Sequence, residues 1–213
     1  MNIETFNYND PDELKANTYI IYDDKGNAIV FDPSVDYDGI IDYLESRKLT
    51  LKAICLTHGH FDHIRGVKRL IKYKNVPIYI HPLDALILQD IHGNCSDDYN
   101  EHPFTIDLPT KDVVDNQVLK ILNGDDIRVI HTPYHTEGSV CYYLKNSNIL
   151  ISGDTLFKMT IGRCDLPTST PEFKKSSFMK VMALPGETKV YPGHGGSTTI
   201  SSEEELNRFL KRI

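Results

Sequence analysis

Thr57-His58-Gly59-His60-Phe61-Asp62-His63 places three imidazoles and one carboxylate within six positions, at the end of the apolar run LKAICLT. Imidazole nitrogens and carboxylate oxygens are the donors that borderline divalent metals accept, with histidine the commonest. The apolar run reads as a fully buried strand, and the periodicity of HIRGVKRLIKYK after it reads as a helix. His58 and His60, two apart on an extended loop, can point the same way. Asp62 and His63, at the helix start, project from a different part of the turn. The spacing therefore predicts two metal sites.

Outward from this cluster, three further segments share its design, an apolar strand ending in a candidate ligand with glycine close by. They are IRVIHTPYHTEGS with His135, ILISGDTLF with Asp154, and TKVYPGHGG with His194. Each alone is explained by a capping residue in a tight turn. Beside the first cluster they read as metal ligands converging from strand ends, where sheet-based folds place their sites.

The remaining elements frame these ends. TYIIYD and AIVFD, joined by the DKGN turn, read as a hairpin, and VDYDGIIDYLESRK puts Ile40, Ile41 and Leu44 on one helical face. On HIRGVKRLIKYK, Ile64, Val67, Leu70 and Ile71 share a face, with Arg65, Lys68, Arg69 and Lys72 on a solvated face opposite. VPIYI is a strand, and PLDALILQDI a helix begun by Pro82. The stretch from His92 to Lys111 has no sustained period and reads either as an excursion near the site or as a long connection. VLKIL, IRVIHT, SVCYYL, ILIS and TKVY are strand-like; PEFKKSSFMKVMAL and SEEELNRFLKR are helix-like. Two halves of strands and helices predict sheet packed on sheet with helices outside.

The 213 residues, 40% hydrophobic and 25% charged, suit one soluble domain spanning 1–213. A net charge of −7 argues against a nucleic-acid partner, whose affinity comes from clustered Lys and Arg. Neither a signal peptide nor a run of membrane-spanning length is present, so a cytoplasmic location away from membranes is expected. Cys55, Cys95, Cys141 and Cys164 form no CxxC pair and read as free thiols, Cys55 and Cys141 buried ones. His131 reads as a hydrogen-bonded buried residue, and His81, His92 and His102 as surface or loop residues.

At Thr-His-x-His-x-Asp-His, and from AIVFDPS to PGHGGSTTI, the chain resembles the metallo-β-lactamase superfamily. The resemblance implies an α/β fold, the αββα four-layer sandwich of two mixed sheets packed face to face. It implies that His58, His60 and His135 hold one metal and Asp62, His63 and His194 a second, with Asp154 bridging both. Two divalent ions are then the cofactor, zinc first, with iron or manganese as alternatives. GDTLF around Asp154, IGRCDLP at 161–167 and YPGHG at 191–195 look like the single-domain relatives of glyoxalase II and unlike true β-lactamases. Glyoxalase II itself carries a helical C-terminal domain that supplies glutathione contacts, whereas 19 residues follow His194 here.

The function so implied is hydrolysis of a small-molecule thioester of the hydroxyacylglutathione type. A water shared by two divalent ions has its pKa lowered to about 7, which supplies the nucleophile. Asp154 would position that water, and Asp62 would accept its proton. Arg163 is a candidate anchor for a substrate carboxylate, or else the partner of Asp165 in a loop-fixing ion pair. Tyr134, beside His135, is a candidate pocket residue. Alternatives are a persulfide dioxygenase with one iron on His58, His135 and Asp154, a lactone or phosphodiester hydrolase, and a metal-stabilised binding protein. The oligomeric state is not written in the sequence.

Overall fold

The computed structural model describes residues 1–8, 14–99 and 102–212. The first half builds six strands: β1 (Asn2–Phe6), β2 (Thr18–Tyr22), β3 (Asn27–Phe31), β4 (Thr50–Cys55), β5 (Ile78–Ile80) and β6 (Lys111–Asp112). They lie side by side in chain order, antiparallel from β1 to β3 and parallel from β3 to β6. The second half adds β7 (Val118–Leu119), β8 (Ile127–His131), β9 (Val140–Leu144), β10 (Ile149–Gly153), the ribbon β11 (Leu156–Phe157) with β12 (Thr160–Ile161), β13 (Lys189–Pro192) and β14 (Thr198–Thr199). Its sheet runs β14-β13-β10-β9-β8-β7, parallel only between β10 and β13.

Alternation along the strands makes the layers. Tyr19, Ile21, Ile29 and Phe31 point inward and meet Val129, Val140, Tyr142 and Ile151 of the second sheet. Their neighbours Ile20, Val30 and Ile54 point outward onto α1 (Gly39–Ser46), α2 (Phe61–Ile64) and α3 (Val67–Tyr73). Short helices α4 (Pro82–Ile87) and α5 (Ser96–Tyr99) follow β5. The outer face of the second sheet, with Cys141, Tyr143 and Val190, is covered by α6 (Lys174–Met182) and α7 (Ile200–Leu206). The architecture is the αββα sandwich. Each fully buried Ile, Leu or Phe contributes about 1.5–3 kcal/mol, so these three apolar layers outweigh the thin sheet edges.

The DKGN hairpin forms as read: Gly26 takes φ +78, and Asp23 Oδ1 accepts the amides of Lys25 and Asn27, both at 2.9 Å. The helix read over HIRGVKRLIKYK is instead two, α2 and α3. At their junction the Gly66 amide donates to the Pro33 carbonyl (2.8 Å), and a Cβ there would collide with the Val35 carbonyl. VLKIL keeps only Val118–Leu119 as an edge strand, and the closing helix stops at Leu206, where Asn207 Nδ2 bonds Thr160 O (3.0 Å). β1 was not legible in the sequence. No helix among the described residues is long and apolar enough to cross a membrane. All four cysteines are free; Cys55, Cys95 and Cys141 are buried.

Candidate metal centre

Four strand ends deliver the ligands read from the sequence. β4 leads into His58, His60 and then Asp62 and His63 on α2; β8 leads to His135, β10 to Asp154 and β13 to His194. The Val140 amide donates to Thr57 O (2.8 Å) and the Tyr142 hydroxyl to Leu56 O (3.0 Å), which ties the end of β4 to the second sheet. One donor atom from each of His58, His60 and His135 lies within 4.8 Å of the others, and the same holds for Asp62, His63 and His194. Asp154 stands between the sets: Oδ2 is 3.5 Å from His135 Nε2 and 3.6 Å from His194 Nε2, and Oδ1 is 3.3 Å from His63 Nε2.

The far ring nitrogens are held. His63 Nδ1 is 2.9 Å from Asp32 Oδ2, His135 Nδ1 bonds the Arg163 carbonyl (2.8 Å), and His58 Nδ1 meets Thr57 Oγ1 (3.1 Å). Such contacts fix ring orientation and tautomer in metal sites. Asp32 also accepts the Thr57 amide (2.8 Å) and hydroxyl (2.7 Å), from a left-handed φ of 47. Sequence reading missed Asp32 as a partner. Its only signal was an acidic residue closing the apolar run AIVF beside Pro33.

Charge divides the centre in two. Burial and the neighbouring imidazoles hold His58 far below its usual range, burial and His135 push His60 down to about 3, and burial lowers His135. These three rings are neutral, with lone pairs to offer. For His63 and His194 burial is outweighed by carboxylates, Asp62, Asp154 and Asp32 raising the first and Asp154 and Asp62 the second. Burial likewise fails to raise Asp154, which His194, His63 and His135 hold far below the carboxylate range; His63 and His194 similarly lower Asp62. The carboxylates thus favour protons on these two rings at the place where divalent cations would bind, and metal binding releases such protons. His58 Nε2, His63 Nε2 and Asp154 Oδ1 are buried and make no hydrogen bond. Donor type, convergence and these unsatisfied atoms all fit a pair of divalent ions.

The centre opens into a cavity of about 470 Å³ with apolar walls from Leu14, Phe61, Tyr99, Phe157, Ile161 and Leu166. Tyr99 stacks on Phe61 at 5.7 Å. The stretch 92–111 is therefore an excursion beside the site, although its residues 100 and 101 lie outside the described residues. Arg163 lines the cavity mouth with its guanidinium bidentate on Asp165 (2.7 and 2.9 Å) and Nη1 on the Tyr99 hydroxyl (3.2 Å). Tyr134 requires correction. It is buried, packs on Phe178 at 5.5 Å and does not line the cavity, because it faces the outer helical layer while His135 faces the centre. His131 is half-buried and bonds the Glu137 carbonyl (2.9 Å), away from the ligand sets. His81 is buried rather than superficial, stacked on His131 at 4.1 Å.

A family model described as the metallo-beta-lactamase superfamily matches residues 11–194. "Probable metallo-hydrolase YqgX" of Bacillus subtilis is 33% identical over 92% of this chain and 93% of its own. "Hydroxyacylglutathione hydrolase GloC" of Haemophilus influenzae is 30% identical over 92% and 93%. Among solved structures, the B3 metallo-beta-lactamase BLEG-1 superposes with a TM-score of 0.90 at 36% identity, covering 98% of this chain and 99% of that one. Fold, ligand geometry and these matches agree: the chain belongs to the metallo-beta-lactamase superfamily.

Proposed function

We propose that the protein is a binuclear-metal hydrolase that cleaves thioesters of the hydroxyacylglutathione type. The observation that carries the metal count is Asp154, whose two oxygens face both ligand sets. His58, His60 and His135 would hold one ion, Asp62, His63 and His194 the other, and Asp154 would touch both. Two divalent ions supply an acidified water and an electrophile for the carbonyl oxygen. The protein's own part is positioning. Asp154 would fix the spacing of the two sets, and Asp62, a carboxylate beside His63 and His194, would accept the proton of the attacking water. The apolar walls exclude bulk water and hold the substrate's acyl and thiol arms against the ligands, which raises the effective concentration of the reacting groups. No serine or cysteine nucleophile is required, and Cys95, the cysteine in the cavity lining, has its thiol pushed up to about 11, chiefly by burial.

The thioester reading is supported by the likeness to GloC. A β-lactam is the competing substrate class, since BLEG-1, 36% identical to this chain, is named a B3 metallo-beta-lactamase. The deciding experiment is metal content by mass spectrometry together with hydrolysis of lactoylglutathione, a β-lactam and a lactone, before and after chelation. About two zinc ions per chain and chelator-sensitive cleavage favouring the thioester are expected. A preference for the β-lactam or lactone would overturn the substrate class. One iron per chain with oxygen uptake on a persulfide would replace the hydrolase by the dioxygenase.

A further inference from the structure

Helix α4 lies in the outer layer, yet one of its side chains reaches the ligand loops. Asp84, 1% exposed, accepts the Gly59 amide (2.8 Å) and the Thr136 hydroxyl (2.8 Å) at Oδ2, and the Gly138 amide (2.7 Å) at Oδ1. Gly59 stands between His58 and His60, and Thr136 follows His135. One carboxylate therefore holds the backbone between His58 and His60 and, through the Thr136 hydroxyl and the Gly138 amide, the loop that follows His135, across the two halves of the chain. The glycines admit it: a Cβ on Gly138 would collide with the Asp84 carboxylate, and one on Gly59 would lie 2.9 Å from the Asp84 carbonyl.

The second ligand set is braced elsewhere. Asp32 holds His63, while Asn17 binds the backbone around His194 through Gly193 O (2.6 Å, from its amide) and Gly195 O (2.9 Å, from Nδ2). Burying a carboxylate costs free energy that hydrogen bonds must offset. A simple filler at position 84 would leave two loop amides unsatisfied. The Asp84 contacts are confined to one triad.

We infer that Asp84 is a positioning residue that locks His58, His60 and His135 into one preorganised unit, and that it sets the metal affinity of this site and not of the other. The inference rests on the metal-centre reading and is independent of the substrate. In Asp84→Asn one carboxylate oxygen becomes an amide that cannot accept, so Gly59 or Gly138 loses its acceptor. Outer partners of metal ligands are worth roughly 10–100-fold in affinity.

The test is a stepwise zinc titration against a competing chelator, with native mass spectrometry counting ions on the folded protein. For Asp84→Asn one dissociation constant should rise by roughly 10–100-fold, with the other unchanged. His194→Gln should weaken the complementary step, and the double variant both. Should Asp84→Asn fail to fold, Thr136→Val, which keeps both amide bonds, should weaken the same step by a few-fold, roughly. Unchanged constants in Asp84→Asn and Thr136→Val would refute the inference, as would equal weakening of both steps, the mark of a merely structural role. Wild-type protein that takes up no zinc would refute the metal centre itself, a failure distinct from these.

Discussion

Asp154 can face both ligand sets because position 193 has no side chain. A Cβ on Gly193 would collide with Asp154 Oδ1 and lie 2.7 Å from His63 Cε1, and one on Gly162 would strike the Asp154 carbonyl. Gly193→Ala should therefore displace the shared carboxylate. Overpacking of this kind costs about 1–3 kcal/mol, so the chain should still fold while its metal content falls below that of wild type and its hydrolase activity drops by roughly 100-fold, as with a misplaced reacting group. Metal analysis of the purified variant is the check, and wild-type stoichiometry with wild-type turnover would show that Asp154 tolerates movement. Asp32→Ala should cost about 3 kcal/mol, because the Thr57 amide and hydroxyl and His63 Nδ1 would all lose a buried acceptor; denaturant unfolding reads it. At this scale the convergence of the candidate ligands was legible and their supports were not. A dense histidine cluster has few structural explanations, whereas a lone aspartate at a strand end (Asp32) or in a helical first turn (Asp84) has many, and only its partners from distant loops reveal the role.

Among elements, α4 depends on a titrating cap. His81 Nδ1 accepts the Leu83 amide (3.4 Å), which an imidazolium cannot do. Burial and the stacked His131 push His81 down to about 4, against the upward pull of Asp112 and Asp115. Its folded value lies below the unfolded one, so its contribution is fully present above about pH 6.5 and is lost as pH falls toward 4. Asn caps well and does not titrate. The stability of His81→Asn should accordingly fall less steeply than wild type between pH 6.5 and about 4, measured by thermal melts across that range; parallel pH profiles would show that the cap does not titrate there. The loop after β12 carries a second prediction. Arg163 is bidentate on Asp165, so Arg163→Ala and Asp165→Ala should raise KM alike, and the double variant should be no worse than either single. A rise of roughly tenfold or more confined to Arg163→Ala would instead make its guanidinium a substrate anchor. Elements with an apolar face or a buried run were readable from pattern, as β4, β9 and α1 are. The short edge strands β1, β6 and β14 were not, and β7 was read three residues too long, since two to five residues with one exposed side carry too little periodicity. The break between α2 and α3 escaped because its cause, the backbone of 33–35 pressing on Gly66, is tertiary.

For the whole molecule the centre is also a cross-link. His58, His60, Asp62 and His63 follow the first sheet's β4, whereas His135, Asp154 and His194 follow strands of the second. Each ion would join the two sheets at one end of their shared apolar layer. This arrangement was legible because the same strand-then-ligand design occurs four times, and four strand ends can share a metal centre only if the two sheets face each other. Without ions the buried carboxylates favour protonation of His63 and His194, and the unsatisfied His58 Nε2 remains. A ligand that binds only the folded state adds about 4.1 kcal/mol at a free concentration 1,000 times its Kd. In a chain of this size 1 kcal/mol moves Tm by roughly 2–4 °C, so stripping one such ion should lower Tm by roughly 8–16 °C, and restoring zinc should recover it. Scanning calorimetry with and without chelator measures this. An unchanged Tm in protein shown to have lost its metal would mean that the apolar layer alone sets the stability and that the ions serve chemistry only.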